Sequence, residues 1–212
     1  RYSLMKKTKR AKKSRTWVIK QHRDQFFKKA KVLGYRSRAA FKLLELNKKF
    51  NFINLNSNLL DIGASPGGWS QVASKVISNG KILALDILPM EKIKNIDFIK
   101  GDFLDENVQK KILNIFKKKI DVIISDMAEN TTGNKSVDSI RTNNLCVEVL
   151  KFSLKFLGLN GALVCKVFMG DDFILVKDLA KKNFKKVVFF KPESSKKESK
   201  ETYIFCLGLK TL

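Results

Sequence analysis

The 212-residue chain holds one histidine, His22, and three cysteines, Cys146, Cys165 and Cys206. The cysteines are scattered and flanked by apolar residues, without metal-ligand spacing, and one histidine cannot complete a ligand set. No metal site is expected. The thiols read as small buried hydrophobes of a reduced, cytoplasmic setting. No apolar run approaches ~18 residues, which excludes a membrane-spanning helix. The basic N-terminal stretch also lacks the apolar segment of a secretory signal. Acidic residues are scarce in one place above all. Residues 1–42 carry 16 Lys or Arg against one acid, Asp24, and so hold +15 of the formal +23. A polyanionic partner, nucleic acid first, follows from that asymmetry. A lysine-rich codon bias would raise lysine everywhere. It accounts less well for missing acids in one segment.

The hydrophobic fraction, 44%, is that of a globular chain, and the length allows one sizeable core. Residues 1–15 are basic and aperiodic, and are expected to be a flexible arm. Residues 16–212 are expected to form one domain. Within them, Asp24–Leu33 has the pattern of a short basic helix stopped by Gly34. A second helix follows from Ser37, a candidate N-cap, with Phe41, Leu44 and Leu43 toward the core. Arg38 and Lys42 are four apart and share a face of it, either solvated or set against phosphates.

Strands are expected at Leu59–Gly63, Gly80–Asp86, Asp97–Phe103, Ile120–Asp126, Gly161–Phe168, Lys185–Lys191 and Thr202–Leu209. Helices are expected between them at Trp69–Ile77, Glu106–Phe116, Val137–Leu157 and Asp171–Lys182. The last two strands are joined without a helix, by the lysine- and serine-rich loop Pro192–Lys200. The fold class is α/β: a Rossmann-like, seven-stranded, mostly parallel sheet with helices on both faces. One antiparallel strand is expected at or next to an edge near the C-terminus.

The stretch Asp61-Ile-Gly-Ala-Ser-Pro-Gly-Gly-Trp69 reads as strand, glycine turn and helix start. Such a turn lets a ligand approach the backbone. Ligands of doubly wound sheets lie at the carboxyl ends of the strands. Asp61, Asp86, Asp102 and Asp126 fall at or near those ends, as turn formers or as ligand contacts. Asp86 stands nineteen positions after Gly67, where a carboxylate can accept from ribose hydroxyls. A dinucleotide and S-adenosylmethionine both fit this much. The turn is not Gly-x-Gly-x-x-Gly, and Pro66 removes a backbone donor that a pyrophosphate would use. Together with the late strand pair, this favours S-adenosylmethionine.

Lys166 interrupts the apolar strand Leu163-Val-Cys-Lys-Val-Phe168. A lysine there is costly unless it snorkels to solvent or reaches a cleft and a partner. In a cleft beside Asp126, burial would lower its pKa and the carboxylate would raise it. Only a neutral amine can take a proton, so that balance decides its role.

These residues resemble the FtsJ (RrmJ)-type ribosomal RNA 2′-O-ribose methyltransferases. The likeness runs through Tyr35-Arg-Ser-Arg-Ala-Ala-Phe-Lys-Leu43, Asp61 to Gln71, Asp86-Ile-Leu-Pro-Met90, Gly101-Asp-Phe103 and Ser125-Asp-Met-Ala128. It continues through Lys166-Val-Phe-Met-Gly170, Lys191-Pro-Glu-Ser-Ser195 and Ser199-Lys-Glu-Thr-Tyr203, in order over residues ~15 to ~208. Glu129 stands where that family usually has Pro, and Ser65 where it usually has Ala. The resemblance implies a class I methyltransferase using S-adenosylmethionine. It implies a catalytic tetrad of Lys42, Asp126, Lys166 and Glu201, and cofactor contacts at Gly67, Trp69, Asp86, Asp102 and Asp126. Arg36, Arg38 and Lys42 are the expected RNA contacts. The implied substrate is a uridine ribose in large-subunit ribosomal RNA within the ribosomal particle. A transfer-RNA ribose methyltransferase shares the same tetrad; an RNA-binding assembly factor with dispensable catalysis is the other alternative, and the intact tetrad argues against it. High net charge disfavours self-association, so a monomer is expected.

Overall fold

Strand β1 (Leu59–Ile62) is buried at every position, as a central parallel strand covered on both faces must be. The computed structural model describes residues 24–128, 133–170 and 172–211. The expected basic arm, His22 and the departure at Glu129 lie outside the described residues. Before β1 come α1 (Gln25–Val32) and α2 (Ala39–Phe50). After it come α3 (Gly68–Val76), β2 (Ile82–Asp86), β3 (Asp97–Lys100), α4 (Glu106–Phe116) and β4 (Ile120–Ser125). The chain ends with α5 (Lys135–Phe156), β5 (Leu157–Phe168), α6 (Phe173–Asn183), β6 (Phe184–Phe190) and β7 (Glu201–Leu209). Among the described residues, no helix is long and apolar enough to cross a membrane.

The seven strands form one sheet in the order β3-β2-β1-β4-β5-β7-β6. The first five pair in parallel. Strand β7 inserts antiparallel between β5 and the edge strand β6. A lone antiparallel strand in the penultimate place follows from the short β6–β7 connection, which allows only a hairpin-like return.

Alternation along the strands divides the core in two. Leu60, Ile62, Leu83, Leu85, Ile123, Leu163 and Cys165 meet α4, α5 and α6 through Ile112, Leu150 and Val176. Leu59, Ala84, Ile124, Val164 and Phe205 meet α2 and α3 through Leu43, Leu46, Val72 and Ala73. The three cysteines are free and buried, and all belong to the α4–α6 side.

Some boundaries differ from the sequence expectation. Strand β5 begins at Leu157 rather than Gly161, because Leu157 already pairs with Ile120 before the register shifts. Gly161 is required there, since a Cβ would stand 2.5 Å from Leu157 Cγ. Helix α2 has Arg38 at its N-cap with no side-chain bond, so Ser37 does not cap it. Its buried face is also rotated from the expected one: Leu43 and Leu46 are fully buried, whereas Leu44 is 38% exposed. Phe41 is half-buried, and Lys42 lies on the buried face. Apolar spacing alone misplaces this face because a charged residue occupies part of it.

The rotation has a measurable consequence. Leu43→Ala is expected to destabilise the fold by about 2–5 kcal/mol, and Leu44→Ala by under about 1 kcal/mol, in urea unfolding. Equal losses would contradict the observed orientation of α2.

Candidate active site

The glycine turn after β1 is held by backbone bonds from Gly63 and Ala64 N–H to the Leu85 carbonyl, 2.8 and 3.1 Å. Gly63 takes a φ of 76°, and a Cβ there would stand 2.0 Å from Met127 Cγ. Side-chain size at this position is therefore limited by the Met127 wall. The Ser65–Pro66 peptide is cis. Ser65 N–H donates to Asp86 Oδ2 at 2.8 Å, so the turn and the end of β2 are tied together. The hydroxyl of Ser65 adds a bond to the Pro89 carbonyl at 3.2 Å.

Two clefts flank this turn. The larger, about 600 Å³, is lined by Gly63, Ser65, Asp86, Asp102, Leu88, Asp126 and Met127, among others. The smaller, about 180 Å³, lies toward α2 and α3 against Ala39, Asp61, Trp69 and Asp126. Gly63, Ser65 and Asp126 border both. Of the expected cofactor residues, Asp86, Asp102 and Asp126 line the larger cleft, and Trp69 and Asp126 the smaller. Asp86 already accepts from Ser65 and Leu88 N–H, and Asp102 from Leu104 N–H at 2.9 Å. A carboxylate has further lone pairs, so each can still accept from a ligand. Trp69 is buried and donates its indole N–H to the Ala39 carbonyl at 2.7 Å. Gly67 does not line either cleft. Its φ of 109° caps α3, and a Cβ there would stand 3.0 Å from Arg36 Nη1.

The four charged residues of the expected tetrad come together at the carboxyl edge of β4 and β5. Lys166 Nζ lies 2.6 Å from Asp126 Oδ1 and donates to the Asp126 backbone carbonyl at 2.6 Å. Lys42 Nζ lies 2.8 and 3.0 Å from the two oxygens of Glu201 and 3.7 Å from Asp126 Oδ2. A further 3.7 Å separates Lys166 Nζ from Glu201 Oε2. Two ammonium groups thus face two carboxylates, and the set is neutral. All four side chains are at most 16% exposed. Such a cluster survives burial because each charge has an opposite neighbour. Lys166 is not an edge lysine, since β5 lies between β4 and β7.

The electrostatic balance follows from this geometry. Burial alone would pull the Lys166 pKa down, but Asp126 and Glu201 outweigh it and hold the pKa above the ordinary lysine value. Burial would likewise raise Asp126, yet Lys166 and Lys42 keep it below the ordinary carboxylate range. Glu201 behaves in the same way, with Lys42 the larger influence. In the free protein Lys166 is therefore an ammonium and not a neutral base. Asp61 is different. Burial, only partly relieved by a 2.6 Å bond from Ser70 Oγ, pushes it up to about 7.

Several contributors were not picked out from the sequence. Tyr203 is buried and donates to Asp126 Oδ1 at 2.5 Å. Burial and the nearby carboxylates push its phenol well above its ordinary pKa, which keeps it a donor. Ser195 donates to Glu201 Oε1 at 2.7 Å. Glu45, one helical turn beyond Lys42, accepts from Glu193 and Ser194 N–H at 2.6 and 3.0 Å. The alternation of β7 could have flagged Tyr203. Nothing local flags Ser195 or Glu45.

The expected RNA contacts are already engaged within the protein. Arg36 donates to the carbonyls of Pro66, Glu91 and Lys92. Arg38 bonds Asp24 and the Ser194 carbonyl, joining α1 to the loop before β7. Lys42 belongs to the tetrad. Each helps build the site, so the face shared by Arg38 and Lys42 is not a free cationic surface.

A sheet of this order, with a glycine turn after β1 and carboxylates at the ends of β2 and β4, defines an α/β methyltransferase. Residues 35–209 match the family model described as FtsJ-like methyltransferase. A ribosomal RNA large subunit methyltransferase E of Pelagibacter ubique is 46% identical over 193 residues, covering 91% of this chain and 95% of that protein. The protein of that name from Rickettsia akari is 42% identical over 208 residues, with 95% and 92% covered. Among solved structures, a ribosomal RNA methyltransferase from Plasmodium falciparum superposes with a TM-score of 0.74 at 33% identity, covering 82% of this chain and 98% of that one. Human methyltransferase-like protein 13, solved with SAH, shares the fold at a TM-score of 0.56 and 16% identity, covering 79% of this chain and 78% of that one. The chain belongs to the FtsJ-like methyltransferase family.

The buried charges make two expectations. Lys166→Met leaves Asp126 and Glu201 short of a counter-charge, and should cost about 3–5 kcal/mol in urea unfolding at pH 7. Asp61, with its pKa raised from 3.8 to about 7, favours the folded state fully below 3.8, and that contribution is lost as pH rises through about 7. Asp61→Asn should therefore gain stability over wild type as pH goes from 4 to 8. A pH-independent difference between the two proteins would contradict the assignment.

Proposed function

We propose that this chain uses S-adenosylmethionine to methylate a ribose 2′-hydroxyl of large-subunit ribosomal RNA. The observation that carries the reading is the neutral Lys42–Glu201–Asp126–Lys166 cluster, whose Asp126 also borders both clefts. The names of the relatives, large-subunit methyltransferases among them, support the substrate class. The 2′-hydroxyl occurs in RNA and not in DNA, so the reacting group itself would select the nucleic acid.

The clefts fit the proposed cofactor in donor chemistry. Asp86 and Asp102 offer carboxylates to ribose or amine donors, and Leu88, Phe103 and Leu104 offer an apolar wall to a base. Asp126, kept ionised, would place negative charge near a cationic group in the smaller cleft, which Asp61 also lines. When bound, S-adenosylmethionine supplies an already activated methyl group.

The protein's part is then alignment and proton handling. Lys166 is held as an ammonium by Asp126 and Glu201, so it acts as a donor that fixes the hydroxyl oxygen. Lys42 is anchored by both oxygens of Glu201 and closes the other side of the cluster. A hydroxyl that has gained a methyl group is strongly acidic, so its proton needs only a weak acceptor. Asp126 and Glu201, both kept ionised, fill that need. Tyr203 restricts the carboxylate of Asp126 to one orientation.

Purified protein with labelled cofactor and ribosomal particles from a strain deleted for this gene would test the reading, with the product nucleotide mapped. A single methylated ribose in large-subunit RNA is expected, and Lys166→Ala should lower kcat by about 100-fold or more. Methylation of transfer RNA alone would move the substrate. Wild-type rates from Lys166→Ala would remove Lys166 from the mechanism.

A further inference from the structure

The end of β5 is paired on one side only. Its ladder with β4 stops at Ser125↔Cys165. Its ladder with β7 runs on through Lys166↔Tyr203, Val167↔Thr202 and Phe168↔Glu201. Beyond Ser125 the chain leaves the sheet, and Asp126 turns its carbonyl and carboxylate to Lys166. The backbone of β5 that would have met a longer β4 needs another partner, because buried peptide groups are rarely left unpaired.

One side chain supplies it. Asn143 of α5 donates from Nδ2 to the Phe168 carbonyl at 3.0 Å and accepts from the Phe168 N–H at 2.9 Å on Oδ1. It is 1% exposed. A primary amide presents a donor and an acceptor side by side, as a peptide group in a neighbouring strand does. Asn143 therefore stands in for the strand residue that β4 does not provide. Phe168 follows Lys166 closely along β5 and is paired with Glu201 on β7. The amide thus grips the point where the two tetrad-bearing strands end.

We propose that Asn143 is a positioning residue for methyl transfer: by completing the open side of β5 at Phe168, it holds Lys166 and Glu201 in place relative to Asp126. The proposal rests on the methyltransferase reading above. Asn143 touches none of the four charged groups and acts through the Phe168 backbone. Its loss lets the end of β5 move, and the Lys166–Asp126 contact of 2.6 Å is the first to lengthen. Leucine keeps much of the volume and offers neither bond. Aspartate keeps the acceptor, loses the donor, and sets a carboxylate against the Phe168 carbonyl.

The test compares wild type with Asn143→Leu and Asn143→Asp, at a temperature where circular dichroism shows each variant folded. Three quantities are read: S-adenosylhomocysteine affinity by calorimetry, kcat and KM on undermethylated ribosomal particles, and the Lys166 Nζ titration by NMR of 13C-labelled lysine, assigned with Lys166→Arg. The groups acting on Lys166 are Asp126 after β4, Glu201 on β7 and Cys165 on β5, with Lys42 of α2 and Tyr203 of β7 holding Asp126. Moving Lys166 from the two carboxylates should lower its titration midpoint. The expected result is at least a tenfold loss of kcat, cofactor affinity within about twofold, and a downward Lys166 midpoint. A variant with unchanged kcat and unchanged Lys166 titration would overturn the proposal and leave Asn143 a purely structural residue. If Asn143→Leu does not fold, Asn143→Asp gives the same decision. If wild type itself methylates no ribose, the functional reading fails, whereas the Lys166 titration still decides whether Asn143 sets its surroundings.

Discussion

The site depends on one constraint: two lysines and two carboxylates are buried together and must sum to zero. Lys42 comes from α2, Asp126 from the end of β4, Lys166 from β5 and Glu201 from the start of β7. No single charge could be carried into this part of the sheet alone. The cluster therefore joins four elements far apart in sequence, and each is tied down by further contacts. Glu45 on α2 and Arg38 at its N-cap grip the loop that leads into β7. Ser195 of that loop holds Glu201, and Tyr203 of β7 holds Asp126.

The same constraint explains the ionisation of Lys166. A lysine in an apolar strand is expected to lose its proton when buried alone. Here Asp126 and Glu201 reverse that tendency and keep it charged. In the free protein the cluster is thus a set of paired charges rather than a neutral amine beside carboxylates. Asp61 shows the opposite case on β1, two strands away, where burial is met by one hydroxyl and the carboxyl group is driven upward.

The antiparallel insertion of β7 is what makes the array geometrically possible. It brings Glu201 and Tyr203 beside Phe168 and Lys166 at the edge where the parallel strands end. A continued parallel order would place the amino end of its next strand elsewhere. Because β4 stops sooner than β5, the open side of β5 at this edge is met by Asp126 at Lys166 and by Asn143 at Phe168. The cationic residues expected to contact RNA also tie this framework together. The terminal guanidinium nitrogens of Arg36 and Arg38 bond loop carbonyls and Asp24.

Much of the fold was legible in the chain itself. Short apolar runs closed by Asp86 and Asp126, a glycine turn at Gly63 and a final strand pair without a helix are local patterns, and local patterns fix secondary structure and sheet class. The anomaly of Lys166 could also be read, because an isolated charge in an apolar strand demands a partner. Three things could not be read. The orientation of α2 escaped because burial of Lys42 depends on Glu201, which lies 159 residues away. The duties of Arg36, Arg38, Glu45 and Asn143 escaped because their partners are mostly backbone groups, which carry no residue identity. The charge state of Lys166 escaped because opposing effects of burial and neighbours differ only by distances that tertiary structure sets. Sequence alone marked candidate residues, the strand-end aspartates and Lys166 by local pattern and Lys42 and Glu201 by family resemblance. Tertiary structure decided which of them meet, and in what state of charge, since Coulomb energy and desolvation depend on separation and burial.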